Sequence, residues 1–178
     1  MKEFPKLYTE RLVLREITQD DLEAIFMIFS NPDVLTYYGM DPIKSKEEVG
    51  DLIQKYRVGF EHGTVYRWAI VREEDNAFLG TCGYHNWHHR YFRSEIGYEL
   101  SPDYWGMGYM QEAARAILDY GYSELGMHRI GALISPQNKS SIRLVERLGF
   151  KNEGLLKDYA YSGGNYHDLS MYAKIKQD

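Results

Sequence analysis

The sequence predicts an α/β (α+β) fold: a mixed, mostly antiparallel central sheet with helices on both faces. Three observations carry that expectation. Segments with strand and helix periodicity follow the order β-α-α-β-β-β-α-β-α-β-β. Residues 95–134 read strand, helix, strand, which is a crossover unit whose two strands should be parallel. The other strands are joined by short turns and should be antiparallel. The 178 residues contain no repeat, low-complexity segment or linker, so one domain over residues 1–178 is expected.

Residues 11–17, RLVLREI, alternate apolar and polar and read as a strand. Thr18 is an N-cap with Asp20 and Asp21 in the first turn, opening a helix that runs to Phe29. The stretch SNPD at residues 30–33 stops it. A second helix is expected over residues 45–62. Residues 66–72 and 78–84 are strands around the turn EEDNA, and residues 95–100, EIGYEL, are a further strand. Met110, Ala113, Ala114, Ile117, Leu118, Tyr122 and Leu125 recur at helical spacing, and Gly126 ends that helix. A strand over residues 129–134 precedes a short helix over residues 139–148, closed by Gly149. The last strands lie near residues 152–160 and 166–175, around SGGN.

A composition of 44% hydrophobic and 26% charged residues is that of a globular protein. The formal net charge of −5 argues against direct nucleic-acid binding, where a basic face is expected. It suits a cationic partner. The single cysteine, Cys82, allows no internal disulfide and fits the reducing cytoplasm. Within LGTCGY it reads as buried filler rather than a nucleophile. The start MKEFPKLYTERLVLRE lacks an apolar signal segment, and no apolar run reaches the about 18 residues of a membrane span, so no membrane partner is expected.

The stretch SPDYWGMGYMQEA, residues 101–113, places Gly106 and Gly108 directly before a helix. A helix N-terminus carries unsatisfied N–H groups and partial positive charge, which suits phosphate. Glycines there let the backbone turn sharply and an anion approach without meeting a Cβ. The turn is therefore a diphosphate cradle, or only a tight connection. A dinucleotide fingerprint would need a third glycine where Gln111 stands, and no Gly-Lys-Ser/Thr follows as in a Walker loop.

The stretch EIGYELSPDYWGMGYMQEA, followed some thirty residues later by NKSSIRLVERLGF, resembles the GNAT superfamily of acyl-CoA-dependent N-acetyltransferases. The start YTERLVLREITQDDLEAIFMIFSNPDVLTYYG is similar to its RimJ/RimL-like branch, whose named members acetylate ribosomal-protein N-termini. The resemblance implies the GNAT fold, in which the strand before the glycine turn and the strand after its helix splay apart to admit acetyl-CoA. It further implies that the backbone of Tyr98, Glu99 and Leu100 pairs with the pantetheine amides. The N–H groups of Trp105, Gly106, Met107, Gly108, Tyr109 and Met110 would hold the pyrophosphate. Asn138 and Ser141 match the family's N-x-x-S beside the pantetheine arm. By analogy with the branch, a homodimer is also expected.

The implied reaction moves an acetyl group from a thioester to an amine by direct attack in a ternary complex. The ammonium must first lose a proton, and a general base typically contributes about 10²–10⁴-fold. Glu95 opens the strand where some superfamily members place that base. Alternation sets Glu95, Gly97 and Glu99 on one face of the strand. The bland reading of Glu95 is an edge charge paired with Arg93 or Arg90. Two positions depart from the family pattern. Asp103 stands where many members have Gln or Arg, so backbone groups would carry the diphosphate. Val145 stands where many have a tyrosine acid, so Ser141 is the polar match near the sulfur, unless it serves only in its helix turn.

For the acceptor, the resemblance puts Tyr37 and Tyr38, in LTYYG, on one wall. His85 and Trp87, in YHNWHHRYFR, are further candidates for substrate contact, and Tyr159 and Tyr161 are similar ones. His85, His88 and His89 have no helical i, i+4 pair and no cysteine or acid at ligand spacing, so no metal is expected. The acceptor is a protein N-terminal amine or a small-molecule amine such as a polyamine, aminoglycoside or amino-acid analogue. The competing readings are an acyl-CoA-binding module with little turnover and a nucleotide-binding protein using the glycine turn.

Overall fold

A computed structural model describes residues 3–177. Among them the strands are β1 (Leu7–Tyr8), β2 (Leu12–Glu16), β3 (Tyr66–Arg72), β4 (Phe78–His88), β5 (Arg93–Leu100), β6 (Arg129–Ile134), β7 (Lys151–Ser162) and β8 (Asn165–Ile175). The helices are α1 (Leu22–Phe29), α2 (Pro32–Leu35), α3 (Lys46–Glu61), α4 (Tyr109–Ser123) and α5 (Lys139–Arg147). The strands form one sheet in the order β1-β2-β3-β4-β5-β6-β8-β7. The β5–β6 pair is parallel, as the crossover through α4 requires, and every other pair is antiparallel. This is the expected mixed, mostly antiparallel sheet.

Both faces of the sheet are covered, which explains why β3 is buried along six of its seven residues. One face carries Trp68, Ile70, Cys82 and Tyr84 against Ala113, Ala114, Ile117 and Leu118 of α4, with Val145 and Leu148 at the α5 end. The other carries Ala69 and Val71 against Ile25, Ile28 and Phe29 of α1 and Val49 and Ile53 of α3. Fully burying each such apolar side chain stabilises by about 1.5–3 kcal/mol.

The caps set where the helices begin. The Ser45 hydroxyl accepts from the Glu48 N–H at the start of α3 (3.3 Å), and Asn138 Oδ1 accepts from the Ser141 N–H at the start of α5 (3.1 Å). Before α1, Asp21 accepts from the Thr18 N–H (2.9 Å) and is gripped by both Nη atoms of Arg15 (2.7 and 2.8 Å).

Four features differ from the sequence expectation. SNPD does not merely stop α1. Asn31 Oδ1 accepts from the Asp33 N–H (2.9 Å), and with Pro32 at the first position this starts α2. The two-residue β1 pairs with Leu14 and Val13 of β2, and is too short to show a period. β4 runs four residues past Tyr84, because its hairpin with β5 closes only through a 3-10 turn at His89–Tyr91. β7 and β8 continue to the Gly163–Gly164 turn of their hairpin.

Candidate active site

β5 and β6 are in register over three pairs only: Arg93 with Arg129, Ser94 with Ile130, and Glu95 with Gly131. Beyond that point β5 continues to Leu100 paired only with β4, and β6 continues to Ile134 paired only with β8. The strands part, and the β5 edge facing the wedge has backbone groups to offer. Ser141, in the first turn of α5, lies beside the Tyr98 side chain. The Tyr98 hydroxyl is buried and forms no completed hydrogen bond among the described residues. Burial pushes it up to about 12, and Ser141 opposes that rise. Val145 lies wholly within the core.

At the outer end of the wedge, β5 leads through a 3-10 turn at Pro102–Tyr104 into α4. The Trp105 indole donates to the Leu100 carbonyl (2.8 Å) and fixes that loop. Gly106 and Gly108 both lie in the left-handed region, at φ +76° and +82°. That geometry suits glycine and strains other residues. A Cβ at Gly106 would meet nothing in the protein, so the space above the loop is open. Residues 105–108 are exposed, and Asp103 points to solvent. Gly108 is the N-cap of α4 and brings no side-chain oxygen to its first N–H groups, which leaves them for an anion.

Arg11 stands beside the same loop. Its Nη1 donates to the Met107 carbonyl (3.2 Å) and its guanidinium lies 4.3 Å from the centre of the Tyr109 ring. Glu112 in the first turn of α4 holds Arg11 through the backbone N–H and Nε (both 2.8 Å) and also accepts from Thr9 (2.6 Å). Burial alone would raise the Glu112 pKa, but these bonds outweigh it and hold the carboxyl below its usual range.

On the α1–α3 face, Glu95 pairs across the strands with His85. His85 Nε2 is 3.5 Å from Glu95 Oε2, and the Asn86 amide donates to the same oxygen (3.0 Å). The histidine contact and the Asn86 bond hold Glu95 below the usual carboxylate range, against the opposing effect of burial. Its partners are therefore His85 and Asn86, rather than Arg93 or Arg90 at hydrogen-bond range. The His85 ring lies across Gly97, where a Cβ would sit 3.1 Å from its Cε1.

Glu99 occupies the same face four residues on. It forms an ion pair with Arg67 and accepts from the hydroxyls of Thr81 (2.7 Å) and Tyr38 (3.1 Å). Arg67 also donates to Thr81 (2.8 Å) and to the Gly97 carbonyl (2.9 Å), with Tyr56 5.8 Å away. Burial raises the Tyr38 hydroxyl far above its usual value and pushes Tyr56 up to about 12. The Tyr38 ring remains partly open beside the exposed Tyr37. None of the Arg67 contacts was read from the sequence, although an arginine inside the apolar strand YRWAIVR was a signal for a buried partner.

Tyr38, His85 and Glu95 therefore share one face, with Tyr37 exposed next to Tyr38 in the chain, but Trp87 does not join them. Asn86 adopts a left-handed conformation (φ +51°), and this interrupts the alternation of β4. Trp87 then packs on Tyr66 (5.4 Å) against the α4-side core. Tyr159 and Tyr161 lie exposed on β7, where Tyr161 meets Tyr166 at the hairpin (4.9 Å). Cys82 is fully buried and its thiol is pushed up to about 12 by burial, so it is inert as a nucleophile. Among the described residues, no three His, Cys, Asp or Glu side chains gather as metal ligands, and no helix is long and apolar enough to cross a membrane.

A sheet splayed at one parallel pair, with a glycine-capped helix N-terminus at the mouth of the opening, defines the class of acyl-CoA-dependent transferases. The family described as Acetyltransferase (GNAT) domain matches residues 11–151, and the chain belongs to it. It is 39% identical over 173 residues to the uncharacterized N-acetyltransferase YoaA of Bacillus subtilis, covering 97% of this chain and 98% of that one. It is 27% identical over 155 residues to the spermidine N(1)-acetyltransferase of Escherichia coli, covering 87% and 81%. Mycobacterium smegmatis RimJ in complex with CoA-disulfide has the same fold, with a TM-score of 0.88 at 23% identity over 97% and 88% of the two chains. The protein is an acetyl-CoA-dependent N-acetyltransferase.

Proposed function

We propose that the protein acetylates a primary amine, first a protein N-terminal α-amine, by direct attack within a ternary complex. The splay of β5 from β6 beyond Glu95 and Gly131 carries this reading. Acetyl-CoA lies in the wedge, with its pantetheine arm along the backbone of residues 98–100. The N–H groups of residues 105–110 hold the diphosphate, assisted by the nearby Arg11 guanidinium. Asn138 and Ser141 border the arm from α5. The amine enters from the α1–α3 face between Tyr37, Tyr38 and His85, and gives its proton to the Glu95–His85 pair. Glu95 Oε2, 3.5 Å from His85 Nε2, holds the imidazole in place.

An extended acceptor is supported by the open aromatic face at Tyr37 and Tyr38. A polyamine needs carboxylates for its second cation, and Glu99 is already neutralised by Arg67. The polyamine reading is favoured by a different observation, the sequence similarity to spermidine N(1)-acetyltransferase. The cytoplasm, where both acceptors occur, is the proposed location, and a homodimer the proposed assembly. Thiol release from acetyl-CoA against ribosomal N-terminal peptides, spermidine, an aminoglycoside and amino acids tests the assignment. Stimulation by peptides alone supports the first reading and by spermidine alone the second. CoA binding without stimulated release by any amine would count against transfer to these acceptors.

A further inference from the structure

Tyr98 holds the buried hydroxyl that lacks a hydrogen-bond partner among the described residues. Buried polar groups in natural proteins are nearly always paired, so an exception asks what completes it. Tyr98 lies three residues beyond Glu95, the last position of β5 in register with β6. Its side chain is on the face of Ile96 and Leu100 and lies against the α4-side core. Ser141 approaches it from α5, and its N–H is already taken by Asn138. The Tyr98 hydroxyl thus has the Ser141 side chain beside it and completes no hydrogen bond among the described residues.

We infer that the Tyr98 hydroxyl is a fixed hydrogen-bond donor to the sulfur of coenzyme A, positioned by Ser141, and that it stabilises the thiolate as it leaves. This rests on acetyl-CoA occupying the wedge. As the amine nitrogen attacks the thioester carbonyl, the C–N bond forms and the C–S bond breaks, with its electron pair passing to sulfur. The amine's proton goes to the base on the opposite face. Tyr98 keeps its own proton throughout. A hydroxyl near 12 is a weaker acid than a thiol, ordinarily about 8.5, so it shares a hydrogen bond with the thiolate without surrendering the proton. A donor already in place when charge develops needs no reorganisation.

The test compares wild type, Tyr98→Phe and Ser141→Ala. Tyr98→Phe should lower kcat by about 10²-fold and leave KM for acetyl-CoA unchanged. In calorimetry above about pH 8.5, where the thiol ionises, it should weaken CoA binding about tenfold and leave desulfo-CoA binding unchanged. Its Tm without ligand should be no lower than wild type, since only an unpaired hydroxyl is removed. Ser141→Ala should weaken CoA in the same sulfur-dependent way, by a smaller factor. Unchanged kcat in Tyr98→Phe, or equal losses for CoA and desulfo-CoA, would overturn the role. If wild type binds CoA but turns over no amine, the transfer reading fails, while the CoA to desulfo-CoA ratio still decides the contact with sulfur. If wild type binds neither, both fall.

Discussion

Arg67 and Glu99 form an ion pair that is almost dry, with side chains 5% and 1% exposed, on the same sheet face as Glu95 and His85. Thr81, Tyr38 and the Gly97 carbonyl complete the hydrogen bonding that two buried charges require. The pair ties three adjacent strands together, and Tyr38 links them to the segment after α2.

Removing one partner leaves the other charge stranded. Arg67→Ala should therefore destabilise the protein by about 3–5 kcal/mol. For a chain of this size the Tm should fall by about 10 °C, read by calorimetry or circular dichroism. Adding Glu99→Leu to Arg67→Met should restore most of that loss. CoA affinity should change little, because the network lies on the face opposite Tyr98 and Ser141. A single substitution with wild-type Tm would contradict the buried pair.

Glu95→Gln keeps the shape of the cross-strand contact and removes the charge. It should lower kcat by about 10²-fold and leave acetyl-CoA affinity alone. His85→Gln should have a comparable effect if the two side chains act as one unit, and the double variant should then cost little more than either. Because Glu95 is held below the usual carboxylate range, it is ionised throughout neutral pH. An acid limb of the rate profile near neutrality would therefore belong to a group other than Glu95. Full activity of Glu95→Gln across pH would exclude the carboxylate from the proton path.

Glu112 makes stability depend on pH in a stated direction. Its folded pKa is depressed, so its contribution is present above the unfolded glutamate value of about 4.3 and is lost as pH falls through the folded value. Glu112→Gln should cost about 1–2 kcal/mol at pH 7, through weaker bonds to Thr9 and Arg11. The gap from wild type should narrow below about pH 4.3. Urea unfolding at a series of pH values measures it. A gap constant with pH would mean the carboxylate is not held as described.

The parts of the fold set by local pattern were legible in the sequence. Alternation marked β2, the turn EEDNA marked β3 and β4, Gly149 closed the α5 helix, and the crossover through α4 required β5 and β6 to be parallel. The turn at Gly106 and Gly108 was legible because left-handed backbone has a residue signature. The splay itself came from family resemblance, since no periodicity states where two strands stop pairing. What escaped depended on register. Arg67 meets Glu99 across 32 residues and Arg11 meets Glu112 across 101, and neither separation has a local signal. Trp87 was placed beside His85 by proximity in sequence. The left-handed Asn86 between them sends the two side chains to opposite faces.

Gly108 joins the legible turn to the chemistry proposed for it. At φ +82°, a β-branched residue is strained by about 1–2 kcal/mol even where space is available. Its Cβ would lie 3.5 Å from Arg11 Nη2, an ordinary contact, so the fold should survive the substitution. The loop would relax by rotating its amides, and those are the groups offered to the diphosphate. Gly108→Val should therefore weaken acetyl-CoA binding by tenfold or more, about 1.4 kcal/mol, with a smaller effect on Tm. Calorimetric titration with CoA and with dephosphorylated pantetheine separates the causes. A loss confined to CoA assigns the turn to the diphosphate. An equal loss for both would mean that the substitution disturbs the wedge itself, and unchanged affinity would remove the turn from the binding site.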